Sequence, residues 1–135
     1  PNNEELKGIT SINGKSVSEC FVPKVKKLVK ISTYITINGD TRNGYYMVDL
    51  YSQKDKKCIY SSVVPISGIV DGWQMFELDD VKVTPGNKYE VRISVAGVSE
   101  TCNVNIGVIK NNASLKTKIN NKLINQDLAL RVYGK

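Results

Sequence analysis

The feature that most constrains this chain is a period of two. From Val25 to Ile37 the odd positions Val25, Val29, Ile31, Ile35 and Ile37 are apolar, while Lys26, Lys30, Ser32 and Thr36 are polar. Successive side chains of a strand point to opposite faces of its sheet, so this is the pattern of a long, half-buried strand. The same alternation returns in Tyr89, Val91, Ile93 and Val95, and again in Cys102, Val104, Ile106 and Val108. Extended, aromatic- or β-branched-rich runs lie at Tyr45–Tyr51, Cys58–Val64, Trp73–Leu78, Val81–Thr84 and Leu128–Val132. The punctuation between them is turn chemistry: the polar loop 38–44, the charged segment 53–57, Pro65 ending a strand, and Pro85-Gly86, which supplies the fixed φ and the positive φ of a type II turn. Seven to eight strands without a convincing helix predict an all-β fold, an antiparallel β-sandwich. Residues 1–10 read as a linker or flexible N-terminus and 11–135 as a single domain. The Asn- and Lys-rich stretch Lys110–Asn125 reads as a loop with at most a short turn carrying Leu115, Ile119 and Leu123.

Composition then narrows the chemistry. With 135 residues, 41% apolar and 24% charged, the chain can close one core and has the ordinary globular mixture. The absence of histidine removes imidazole bases, Ser-His-Asp and Cys-His nucleophile systems, and histidine-held metals. The net charge of +6 raises the question of a polyanionic partner, but sixteen of the nineteen cations are lysine, spread over several segments, whereas base and bidentate phosphate readout favour arginine. Nucleic acid is therefore not expected as a partner. No apolar run approaches the ~18 residues of a membrane helix, so no membrane insertion is expected. Cys20, Cys58 and Cys102 are widely spaced and odd in number. Each sits in an apolar or alternating stretch that suits a small buried hydrophobe, and a Cys58–Cys102 bridge is the alternative. Asp71, Glu77, Asp79, Asp80 and Glu90 are close in sequence and invite a paired-carboxylate glycosidase reading. Glu77 and Asp79, however, alternate with Phe76 and Leu78 and so belong on the wet face of a strand. No enzymatic activity is expected.

The long strand opened by Cys20-Phe21-Val22-Pro23, the run VDLYS at 48–52, the block WQMFELDDVKVTPGNKYEVRISV at 73–95 and the ending QDLALRVYG at 126–134 together resemble a jelly-roll accessory module. Modules of this carbohydrate-binding-module-like kind are appended to bacterial extracellular glycosidases and cell-surface proteins. The resemblance covers roughly residues 15–134 and implies a jelly roll, a glycan or polysaccharide ligand, and an extracellular or cell-surface location as part of a larger protein. It also implies no cofactor beyond a structural calcium, for which Asp40, Asp49, Asp71 and Asp127 are the conceivable ligands.

The binding reading rests on tyrosine. Seven Tyr and one Trp against two Phe give most of the aromatic area a hydrogen-bonding end, suited to stacking on sugar C–H faces. Tyr34 falls in the solvent-side register of the long strand, and Tyr45 and Tyr51 share the parity of Asp49. With Arg42, Asn43 and Trp73 these are the candidate ligand contacts, and Asn103 and Asn105 form an outward polar pair. Such tyrosines also occur half-buried under lysine stems on sandwich faces. Two functions therefore stand: a non-catalytic carbohydrate-binding or adhesion module, and a structural or receptor-binding domain of a surface assembly or phage tail fibre, acting through protein contacts and able to oligomerise.

Overall fold

In a computed structural model, residues 6–110, 116–124 and 126–135 are described. Among them are twelve strands and one single-turn 3-10 segment at Ile66–Gly68. The strands are β1 (Leu6–Ser11), β2 (Val17–Phe21), β3 (Lys27–Asn38), β4 (Tyr45–Ser52), β5 (Lys57–Pro65), β6 (Gly72–Lys82), β7 (Tyr89–Ala96), β8 (Asn103–Lys110), β9 (Thr117–Ile119), β10 (Lys122–Ile124), β11 (Gln126–Leu128) and β12 (Leu130–Gly134). They form two antiparallel sheets. The first contains β1-β8-β3-β6 and the second β2-β7-β4-β5, so the first eight strands distribute between the layers as a jelly roll does.

The remaining four strands correct the expected count of seven to eight. β9 and β10 extend the second sheet beyond β2. They fall where a loop was expected, because Asn120 and Asn121 hold φ of 49° and 67°, the two positive values of a type I′ hairpin turn. The Asn120 carboxamide also accepts the Ser16 N–H at 3.0 Å, tying that turn to the start of β2. β11 and β12 enter the first sheet as a wedge. β8 pairs with β3 only over 103–106 and 35–38; beyond that point the two part, β11 joins β8 and β12 joins β3. At the branch, Ala129 donates to the Gly107 carbonyl and accepts from the Tyr34 N–H. Residues 6–10, expected in a flexible end, form most of β1 and pair with β8.

Two irregularities redirect side chains. Leu28 pairs with Val81 but Lys30 with Glu77, so a bulge shifts the phase of β3 and turns Leu28 into the core beside Ile31. This corrects the strict odd-position rule: Val29 is only half-buried. The facing segment of β6 carries Asp80 at φ 41° and joins Trp73–Leu78 to Val81 and Lys82 in one strand, which ends before Val83 and Thr84. At the Pro85-Gly86 turn the Asn87 N–H reaches the Thr84 carbonyl at 3.1 Å with Gly86 at φ 90°, as a type II turn requires.

The core lies between the layers. Leu28, Ile31, Ile35, Phe76, Val104, Ile106 and Leu128 from the first sheet meet Val17, Tyr46, Val48, Leu50, Val91 and Ile93 from the second. Two polar links cross it. The Tyr46 ring stacks on Phe76 with centroids 5.4 Å apart and its hydroxyl lies 3.2 Å from Thr33 Oγ1. Glu19, facing inward from β2, accepts from the Thr117 hydroxyl at 2.9 Å and from the Leu128 N–H at 2.8 Å. Burial raises the pKa of its carboxyl, and those two bonds and Lys116 oppose the rise.

Candidate functional site

The structure sorts the six expected contact residues into three places. Tyr34 and Trp73 come together. They are register partners on β3 and β6, and their rings meet edge to face at 5.8 Å and 82° on the outer side of the first sheet. The Arg131 guanidinium, one row along on β12, lies 3.8 Å from the Trp73 ring centre. Such a cation–π contact fixes the orientation of both groups. In the next row Lys30 lies over Tyr133 at 4.9 Å. Trp73 keeps 42% of its surface exposed, and Ile9, Met75 and Leu6 on the same face keep 50%, 46% and 40%. Gly107 is the hinge of this surface: a Cβ there would come within 2.6 Å of Leu6 and 3.0 Å of Tyr34, so its lack of a side chain lets those two close over the sheet. Thr36 Oγ1 and Arg131 Nε are buried here without a protein partner, and Asn105 is buried opposite Thr36.

Arg42, Asn43 and Tyr45 line a separate shallow depression of about 410 Å³ with Gly44, Pro65, Ser67 and Gly97. Arg42 is already committed to Asp40 through two parallel bonds of 2.9 Å, which hold the Asp40 carboxyl down at about 2. Tyr51 lies on the outer side of the second sheet. Arg92 covers its ring at 4.0 Å and its hydroxyl donates to the Lys56 carbonyl, so it is not part of the Tyr34–Trp73 surface.

The conceivable calcium ligands do not gather. Asp40 pairs with Arg42, Asp49 accepts from Ser61 at 2.6 Å, Asp71 caps the Ile37 N–H at 2.8 Å, and Asp127 faces Lys116 at 3.5 Å. Among the described residues no group of three or more metal-binding side chains occurs. The carboxylates flagged for catalysis divide as well. Glu77 and Asp79 are exposed on β6, while Glu90 is buried on the second sheet and bonded to Arg92 at 2.6 Å. All three cysteines are free, which removes the Cys58–Cys102 bridge. Cys102 is buried, Cys20 half-buried and Cys58 exposed, so the buried-hydrophobe reading holds for Cys102 and fails for Cys58.

The sequence reading missed Arg131, Met75, Leu6 and Ile9 on the aromatic face. A signal existed for Arg131, since it alternates with Leu130 and Val132 and so points away from the core. It also missed a groove of about 670 Å³ lined by Cys20, Phe21, Val22, Gln53, Lys88, Lys116, Lys118 and Leu123.

No family model matches the chain, and no curated protein does. Among solved structures, the chain is similar to one described as accessory secretory protein 1, 2 and 3 in Streptococcus pneumoniae, at 9% identity over 90% of each chain and a TM-score of 0.35. At that TM-score the likeness carries no argument about residues or function.

Proposed function

We propose that the chain is a non-catalytic binding module of a secreted or cell-surface protein, holding a glycan against the outer face of the first sheet. The observation that carries this reading is Trp73: a large ring left exposed on a sheet face, braced edge-on by Tyr34 and held by Arg131. A braced ring stacks on a sugar without first losing rotamer freedom, so less affinity is spent on ordering it. Arg131, Thr36 and Asn105 are the polar side chains of the neighbouring rows on the same face. A glycan array followed by calorimetric titration of the best ligand tests this. Trp73→Ala is expected to weaken binding about tenfold or more, the loss of roughly 1.4 kcal/mol of stacking. Tyr34→Ala should weaken it less, and Tyr51→Ala should leave it unchanged. Glycan binding that survives Trp73→Ala would remove this face from the site.

A second reading is an assembly domain that contacts protein through the same surface. The exposed aliphatic side chains of Ile9, Leu6 and Met75 around Trp73 favour it, as do three free thiols, which are uncommon in exported proteins. Absence of glycan binding, with a light-scattering mass above the monomer that Trp73→Ala returns to monomer, would select it.

A further inference from the structure

The groove beside β2 is built unlike the aromatic face. Lys88, Lys116 and Lys118 converge on it from two segments, Gln53 adds an amide, and Phe21, Val22 and Leu123 supply apolar wall. Lys116 is paired with Asp127; among the described residues Lys88 and Lys118 make no ion pair, and both act electrostatically on the Cys20 thiol inside the groove. Of the nearby acids, Glu19 points into the core, and Glu90 bonds Arg92 through one oxygen and accepts from the Cys20 thiol at 4.0 Å through the other. A concave wall with three lysines, two of them outside any ion pair among the described residues, raises the local concentration of anions.

We propose that this groove is a second binding site, for an acidic saccharide bearing carboxylate or sulfate groups. Lysine ammoniums are point charges on flexible stems and accept either group without a fixed geometry. The apolar wall suits the C–H face of a sugar ring, and Gln53 can both donate to and accept from hydroxyls. An acidic peptide fits less well. Strand pairing would need free backbone groups along the groove, whereas Cys20 N–H is bonded to the Lys116 carbonyl and Gln53 N–H to the Lys88 carbonyl. The site is independent of Trp73, which lies on the other sheet.

Cys20 gives the groove its own reporter. In a Cys58→Ser background Cys102 is buried, so a thiol reagent reads Cys20. The full chain is treated with the reagent alone or with oligogalacturonate, sulfated dextran oligomers, neutral dextran or polyglutamate, and calorimetry on the same four probes reads binding directly. At low ionic strength one or both acidic saccharides are expected to slow modification roughly fivefold or more, with most of the effect lost in about 0.5 M salt. Whichever binds identifies the preferred acid. Lys88→Ala with Lys118→Ala should weaken binding about tenfold, and Trp73→Ala should leave it intact. Binding by neither acidic saccharide, equal binding of neutral dextran or polyglutamate, or binding that survives the double lysine substitution would each overturn the proposal. None of these outcomes bears on the Trp73 titration, which judges the first site separately.

Discussion

Replacing Tyr46 by Phe removes one oxygen atom from the centre of the sandwich and nothing else. The Tyr46 and Thr33 side chains are both fully buried, their hydroxyls lie 3.2 Å apart, and the aromatic stack on Phe76 does not involve the hydroxyl. Burial holds the phenol pKa well above its usual value, so the hydroxyl stays protonated throughout the working range. The substitution forfeits a neutral hydrogen bond, about 1 kcal/mol net, and strands the Thr33 hydroxyl in a dry interior, so the whole cost is about 2 kcal/mol. Thr33→Val should cost a similar amount by stranding the phenol. Because the double variant loses the bond only once and strands nothing, its cost should fall short of the sum of the singles by about 3 kcal/mol. Urea unfolding of the four proteins at constant m-value measures this. A Tyr46→Phe cost below about 0.5 kcal/mol, or an additive double variant, would refute the claim that this pair is a buried, mutually satisfying link between the sheets.

Glu19 should make stability depend on pH. Its folded pKa is raised by burial, so its contribution is complete below the ordinary carboxyl value of 4.5 and is lost as pH rises through the folded value. Glu19→Gln should therefore gain on wild type between pH 4 and 7 in melting experiments, and a gap that is constant or closes over that range would contradict the assignment. Gly39→Ala should destabilise by about 2 kcal/mol or more in denaturant titrations, since the residue sits at φ 93° and a Cβ would overlap the Thr101 carbonyl oxygen. Asn121→Gly should hold or raise the melting temperature, while Asn121→Val should cost about 1–2 kcal/mol, because the I′ turn needs positive φ at that residue.

Legibility followed locality. Where a strand is regular and one face is buried, as in β7 and β8, alternation identified both the element and its inward residues: Val91, Ile93, Val104 and Ile106 are all fully buried. It failed where a local event changed the phase or the chemistry. The bulge at Leu28–Lys30 is invisible to a parity rule. β2 is hidden from the alternation rule because its inward position 19 is a glutamate, and only the partners Thr117 and Leu128, some hundred residues away, make that tolerable. Asn120-Asn121 is a readable hairpin signal, since asparagine tolerates the positive φ of both turn positions, although the same residues argue against a helix. For the site, Tyr34 and Trp73 were each readable as exposed aromatic candidates, but their meeting depends on the register between β3 and β6. The lysine groove assembles segments near 20, 53, 88 and 117, and no window of sequence contains it.

The apolar surplus on the first sheet bears on the choice between binding and mere scaffolding. Both inner faces of the sandwich are already filled, so Trp73, Met75, Ile9 and Leu6 add nothing to the core by their outward positions. Each exposed apolar side chain raises the tendency of the free protein to associate, which for a pure spacer is a cost without return. The outer face of the second sheet also exposes Tyr45 and Val63, but it carries no tryptophan and more of its polar groups pair with one another. Its corresponding rows carry Arg92 on Tyr51, Glu90 under Arg92, and Asp49 bonded to Ser61, pairs that satisfy one another. The first sheet instead groups Trp73, Met75, Ile9 and Leu6 with their apolar surface exposed. A cluster of exposed apolar side chains around a tryptophan, on a face that adds nothing to the core, is the composition of a surface that works by being covered.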